Sequence, residues 1–175
     1  ASRRNSMSNA RSCLLGDWRG SVVSRLGAAG EPGVEALGLD SPFSDLRALS
    51  AENLRHAIKL PGAPFVWLAG LMLRLRNGSQ LSECSPQAVL SSLEPRPLFF
   101  IHGGADEITS VNHSRRLYDA YRGPREIWIV QGAPHTGAYF ADRPLYVERV
   151  AGFFARHLGL DLNRHLRLAE VEEVA

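Results

Sequence analysis

Two short apolar runs, each followed by glycine, stand out in the second half of the chain. Pro97–Ile101 is followed within a few residues by two glycines and Asp106. Ile127–Val130 leads into the turn Gly132–Pro134 and then into His135. Apolar runs of this length bounded by glycine are typical of strands buried on both faces. The pattern therefore predicts two buried strands, with an acid beyond the end of one and a histidine beyond the end of the other.

The remaining apolar and polar positions alternate between strand-like and helix-like spacing. Helical spacing is clearest near the end of the chain, where apolar residues recur every three or four positions. In chain order, we predict a strand at 13–15, a helix at 21–29, a strand at 34–39, a helical excursion at 46–93, the strand at 98–101, a helix at 112–121, the strand at 127–130 and a helix at 145–158. This alternation predicts the α/β class, with a parallel sheet and helices on both faces.

The length of 175 residues suits one domain with its own core. We expect residues 1–11 to form a polar leader, residues 12–160 the domain and residues 161–175 a charged helical tail. The longest apolar stretch, 63–73, is shorter than the roughly 20 residues of a membrane span, so it predicts a core helix or a lid over a pocket.

Charge and cysteine content exclude several classes of protein. The 20 basic and 18 acidic residues leave a net charge of +2, which indicates neither a nucleic-acid partner nor an anionic membrane surface. Cys13 and Cys84 form no disulfide framework and lack the spacing of metal ligands. The polar, basic start has no apolar segment of a signal peptide. We therefore expect a cytoplasmic protein.

Asp106 and His135 are the candidate catalytic side chains. Both come just after the carboxyl end of a predicted parallel strand, where open α/β sheets place their ligands. A carboxylate that orients a histidine, and a histidine that acts as general base, make two thirds of a hydrolase triad. In a simpler interpretation, Asp106 is a helix cap and His135 is a loop residue without a functional role.

Four segments together resemble the C-terminal portion of the α/β-hydrolase superfamily: Leu37–Phe43 (LGLDSPF), Arg96–Gly103 (RPLFFIHG), Asp106 and Gly132–His135 (GAPH). Within it, the chain looks most like the serine peptidases and esterases related to prolyl oligopeptidase and dienelactone hydrolase. The resemblance covers about residues 12–158. It implies hydrolysis of an ester or amide through an acyl-serine, a small-molecule or peptide substrate, and no cofactor or metal.

The nucleophile of that family is missing from its expected place. The family's serine lies in a Gly-x-Ser-x-Gly elbow after a strand, and here this spacing occurs in Gly16-Asp17-Trp18-Arg19-Gly20. Trp18 occupies the serine position, and an indole N–H only donates hydrogen bonds and cannot attack a carbonyl. The backbone N–H of Arg19 is the one oxyanion donor that the pattern offers. Other serines lack glycines two positions to either side and are expected to be caps or surface residues, among them Ser6, Ser8, Ser12, Ser21, Ser24 and Ser41.

Only about 12 residues precede the elbow strand, whereas a complete α/β-hydrolase has several strands there. We therefore expect a fragment of a longer product, or a missing half supplied by another chain. A half sheet exposes an edge strand and predicts self-association.

Other interpretations stay open. They are an enzyme with an unrecognised serine, a non-catalytic binding or assembly module, and the product of a truncated or misread coding sequence. A metal set of His102, Asp106 and His135 is a third and weaker option for the site. The histidines on predicted helices are expected at the surface, namely His56, His113, His157 and His165.

Overall fold

A parallel β-sheet forms the centre of the part of the chain that the structure describes, a computed structural model covering residues 12–17, 33–58, 62–77 and 86–161. The strands of this part lie in the order in which the chain forms them, and each pair of neighbours is parallel. They are β1 (Ser12–Asp17), β2 (Val34–Asp40), β3 (Leu98–Gly103) and β4 (Arg125–Val130). The predicted parallel sheet is confirmed. The expectation that both apolar runs are fully buried strands holds for β3 only, because β4 is half-buried except at Val130.

Helices cover both faces of the sheet, as the alternating pattern predicted. The described helices are α1 (Leu46–Ile58), α2 (Gly62–Asn77), α3 (Pro86–Val89), α4 (Val111–Ala120), α5 (Ala138–Ala141) and α6 (Arg143–Leu158). A 3-10 turn, Leu90–Leu93, continues α3. The first three helices lie in the predicted excursion between β2 and β3.

The core consists of two clusters that share strand β3. All six residues of β3 are buried, and consecutive side chains of a strand point to opposite faces. Phe100 packs in one cluster with Leu117 of α4, and Phe99 packs in the other against Phe153 of α6, with ring centroids 5.1 Å apart. A strand buried on both faces explains why its sequence is an unbroken apolar run rather than an alternating one.

Helix α6 starts two residues earlier than its apolar spacing predicts. The side chain of Asp142 accepts a hydrogen bond from the Leu145 amide at 3.0 Å, and Pro144 occupies the first turn. An acidic N-cap followed by proline favours a helix start, which accounts for the difference. The predicted leader, the helix at 21–29 and nearly all of the charged tail lie outside the described residues.

Within the excursion, Leu90 and Leu93 belong to the core, whereas α2 leaves much of its described apolar surface exposed. In α2, Val66 is buried, whereas Trp67, Met72 and Leu75 are 62%, 62% and 78% exposed. No helix in the described segments has the length and apolar character needed to cross a membrane.

Candidate active site

The loops after β3 and β4 bring Asp106 and His135 together. His102 pairs with Ile129 and Gly103 pairs with Val130, so the two strands end level with each other. His135 Nδ1 lies 2.7 Å from Asp106 Oδ2. Because a carboxylate only accepts hydrogen bonds, Nδ1 carries the hydrogen and Nε2 is the nitrogen left to act as a base.

Backbone amides hold the Asp106 carboxylate in place. Asp106 Oδ1 accepts hydrogen bonds from the amides of Ile108 at 2.9 Å and Thr109 at 2.8 Å. Burial alone would raise the pKa of Asp106, but hydrogen bonds from His102, the Thr109 amide and His135 outweigh it and lower the pKa to about 2. The carboxylate is therefore charged at neutral pH and suited to stabilise an imidazolium.

His102 supports this loop from below. Its Nε2 lies 2.8 Å from the carbonyl oxygen of Thr109, so it donates there, and its Nδ1 accepts from the hydroxyl of Ser114 at 2.7 Å. Nε2 is also 3.3 Å from Asp106 Oδ2. Both nitrogens are thus engaged in holding the loop, which argues against His102 as a metal ligand. Within the described segments, no group of three or more His, Cys, Asp or Glu is arranged to hold a metal ion.

The close packing of the two loops depends on Gly103. A Cβ at this position would overlap the backbone carbonyl oxygens of Ala133 and Pro134, in the turn that precedes His135. The Ala105 amide also donates to the carbonyl of Ala133 at 3.0 Å. The absence of a side chain at Gly103 therefore lets the histidine loop rest directly on the end of β3.

A second polar cluster lies at the end of β2, and its residues reach the same histidine loop. Ser41 Oγ is 3.2 Å from Asp40 Oδ1 and accepts a hydrogen bond from the Thr136 amide, also at 3.2 Å. The hydroxyl of Tyr146, on α6, donates to Asp40 Oδ2 at 3.2 Å. Burial raises the pKa of Asp40, and the bonds from Tyr146 and Ser41 offset part of that effect. We call Asp40, Ser41, Thr136 and Tyr146 the β2 cluster.

The expectation that Ser41 is a cap or surface residue is wrong, because its side chain is buried within this cluster.

The expectation that His113 lies at the surface is wrong. His113 is fully buried, its Nδ1 accepts from the Ser44 amide at 3.2 Å, and its Nε2 lies 3.2 Å from Glu52 Oε2. Burial lowers the pKa of His113, and the Glu52 carboxylate opposes part of that shift. The residue joins α4 to the excursion helix α1 as a neutral imidazole.

An open cleft of about 620 Å³ lies on the side of Asp106 that faces α1. Its lining consists of Glu52, Asn53, Gly104, Asp106, Glu107, Ile108, Ser110 and Val111. The cleft thus meets the acid of the Asp106–His135 pair and carries two further carboxylates.

Trp18 and Arg19, the sequence's nucleophile position and oxyanion donor, lie outside the described residues. Strand β1 ends at Asp17, level with Asp40 at the end of β2. Sequence reasoning missed the β2 cluster, although one signal was present: Asp40 is an acid at the carboxyl end of an apolar strand, where Asp106 lies just beyond the end of another.

Together, the sheet and the two loops have the α/β-hydrolase fold, which confirms the resemblance predicted from the sequence. An esterase of Pyrococcus furiosus aligns with 84% of this chain and 54% of its own, with a TM-score of 0.60 and 21% identity. A puromycin-hydrolyzing peptidase of Mycobacterium tuberculosis aligns with 88% of this chain and 23% of its own, with a TM-score of 0.61 and 19% identity. At these identities the likeness establishes the fold.

Among curated proteins, the chain is similar to the uncharacterized protein YqkD of Bacillus subtilis (strain 168), at 33% identity over 142 residues. That match takes in 80% of this chain and 46% of YqkD. The uncharacterized protein YfhR of Escherichia coli (strain K12) is 26% identical over 86% of this chain and 47% of its own. The chain thus spans about half the length of these relatives. No family model matches it.

Proposed function

We propose that this chain carries the acid and the base of an α/β-hydrolase site that cleaves esters or amides. Asp106 orients His135 through Nδ1 and stabilises the imidazolium. His135 Nε2 takes the proton of the nucleophile and then passes it to the leaving group. The 2.7 Å contact between His135 Nδ1 and a carboxylate held by two backbone amides is the observation that carries this proposal.

The substrate class follows from the reaction and is part of the proposal. An Asp–His pair of this kind serves acyl transfer, so a small-molecule ester, an amide or a peptide fits. The esterase and peptidase activities named for the structural neighbours belong to those proteins, and they agree with this class.

The nucleophile is the catalytic group that the sequence does not provide at its expected position. The elbow spacing of the sequence assigns Trp18 to that position, directly after the last residue of β1. Since an indole cannot form an acyl intermediate, we propose that the chain by itself does not hydrolyse esters. The Arg19 backbone N–H would serve as oxyanion donor once a nucleophile stands at position 18.

Fluorophosphonate labelling followed by intact mass tests both parts. We expect no adduct on the chain as it stands and one adduct on Trp18→Ser. The adduct should vanish in Trp18→Ser combined with His135→Ala, because an unassisted serine hydroxyl is a poor nucleophile. His157→Ala, on the outer helix α6, is the matched control and should leave the adduct of Trp18→Ser intact.

Two results would contradict the proposal. An adduct on the unmodified chain that disappears with His135→Ala would mean that another serine is the nucleophile and that the Trp18 assignment is wrong. A folded Trp18→Ser variant that is never labelled would mean that Asp106 and His135 do not activate a serine at this position.

A further inference from the structure

Thr136 follows His135 directly, and its backbone is held in a conformation that few residues adopt. Thr136 has φ 51° and Ser41 has φ 50°, both in the left-handed region. For residues other than glycine this region is unfavourable, because the Cβ atom comes too close to the following carbonyl oxygen. Such strain persists only where surrounding contacts over-determine it, and it concentrates at functional sites.

The two strained residues are bonded to each other. The Thr136 amide donates to Ser41 Oγ at 3.2 Å, although the residues are 95 positions apart in sequence. Ser41 is fixed from its other side as well, because its own amide donates to the Ile101 carbonyl of β3 at 2.8 Å. The histidine loop is thus tied through Ser41 to the central strands of the sheet.

The hydrogen positions give this chain of contacts one direction. The Ser41 oxygen accepts from the Thr136 amide, so its hydroxyl hydrogen is free to point to Asp40 Oδ1, 3.2 Å away. Asp40 Oδ2 accepts in turn from the Tyr146 hydroxyl. Ser41, Asp40 and Tyr146 are each at most 7% exposed, so water does not compete for these bonds.

We propose that Ser41 is a positioning residue for His135, and that Asp40 and Tyr146 fix the orientation of its hydroxyl. Asp106 holds the ring of His135 from one side, and Ser41 holds the peptide that follows His135 from the other. The inference rests on the proposed role of His135 as the base. It adds a second carboxylate, Asp40, that acts on the base through the backbone rather than through the ring.

NMR on the full ¹⁵N-labelled chain tests this inference without any need for activity. The first readout is the downfield signal of the His135 Nδ1 hydrogen, assigned by its loss in His135→Gln. The second is hydrogen exchange at the Thr136 amide. Ser41→Gly removes the hydroxyl and relieves the left-handed strain, whereas Ser41→Ala removes the hydroxyl and keeps the strain.

In both Ser41 variants we expect the Thr136 amide to exchange at least about tenfold faster and the His135 signal to broaden or move upfield. Tyr146→Phe keeps the ring and its packing, so it carries the test if neither Ser41 variant folds. It should change both readouts in the same direction by a smaller amount. Tyr118→Phe, on the opposite face of the sheet, is the control and should change neither.

An unchanged His135 signal in folded Ser41→Gly overturns the inference, whether or not the Thr136 exchange rate rises. In that case Ser41 closes a turn and does not position the base. Failure of the proposed function looks different. If Trp18→Ser is labelled equally well with and without His135→Ala, the assignment of His135 as the base fails. The effect of Ser41 on the His135 signal can still be measured in that case.

Discussion

Two regions of the molecule differ in which side chains they bury. One is the carboxyl ends of β2, β3 and β4, and the other is the helical excursion between β2 and β3. At the strand ends, polar side chains are buried and hydrogen-bonded, as in Asp106 with its two amides and His135. In the excursion, apolar side chains such as Trp67 and Leu75 are exposed. The strand ends are held by several buried hydrogen bonds. The excursion is not uniform, because Leu90 and Leu93 belong to the core whereas α2 exposes most of its described apolar side chains.

The largest contrast should appear in stability. Phe100→Ala removes a fully buried ring from the core and should lower the free energy of unfolding by about 3–5 kcal/mol. Met72→Ala, at an exposed position of α2, should change it by less than about 0.5 kcal/mol. Urea denaturation of the two variants measures both values. A cost above about 1.5 kcal/mol for Met72→Ala would show that α2 is packed as tightly as the core.

The next effect concerns two glycines that form a matched pair, Gly103 at the end of β3 and Gly152 inside helix α6. Gly103→Ala forces the histidine loop away from β3, so it should cost about 1–3 kcal/mol or more and displace the His135 Nδ1 signal. Gly152→Ala lies inside α6, where its Cβ comes no closer than 3.5 Å to Arg156, and should stabilise the chain by up to about 1 kcal/mol. Equal effects in thermal unfolding and in the NMR signal would refute the close approach at Gly103.

Lowering the pH should affect first His113, which contacts the excursion, and then Asp106, which lies at a strand end. The pKa of His113 is lowered by burial from its usual 6.5, so the unfolded chain binds a proton that the folded chain resists. Stability should therefore fall as the pH drops below about 6.5, because a protonated Nδ1 cannot accept from the Ser44 amide. His113→Asn should flatten this part of the pH profile, and His157→Asn should not.

Asp106 responds at lower pH. Its pKa is about 2 in the folded chain and 3.8 when unperturbed, so its contribution to stability is present above about pH 3.8 and is lost as the pH falls toward 2. Urea midpoints measured between pH 8 and pH 2, for the unmodified chain and Asp106→Asn, locate this window. A profile without a difference between the two chains in the window would contradict the bonding of Asp106.

The smallest effect belongs to the surface. Arg156 and Glu126 form an exposed ion pair with a nitrogen–oxygen distance of 2.8 Å. Exposed pairs contribute about 0–1 kcal/mol, and salt screens them. Glu126→Gln should lower stability by at most about 0.5 kcal/mol at low salt and by less in 0.5 M NaCl, as read from urea midpoints. A loss above about 1 kcal/mol would place this pair among the structural contacts.

The fold and the acid–base pair were predictable because both depend on local patterns. Apolar runs such as 98–101 mark strands buried on both faces, and the residues just beyond such strands meet at one edge of a parallel sheet. Asp106 and His135 lie where that rule places site residues, and the structure brings them together. Their catalytic roles remain predictions.

Asp40 stood at a predicted strand end, but the contacts of the β2 cluster and of His113 were not predictable, because the partners are distant in sequence. A left-handed backbone at Ser41 or Thr136 leaves no trace in residue type, since both usually adopt other conformations. His113 lies in a polar helical segment, and its burial is decided by Ser44 and Glu52, which are 69 and 61 positions away. Only the packing of the excursion on α4 reveals it.

The most direct test of the central claim is the tautomer of His135, measured by ¹⁵N NMR of the imidazole at pH 8. The account predicts a hydrogen on Nδ1, with a downfield signal that is lost in Asp106→Asn, and no hydrogen on Nε2. A hydrogen on Nε2 instead would contradict it, because the nitrogen that has to take the proton of a nucleophile would already carry one.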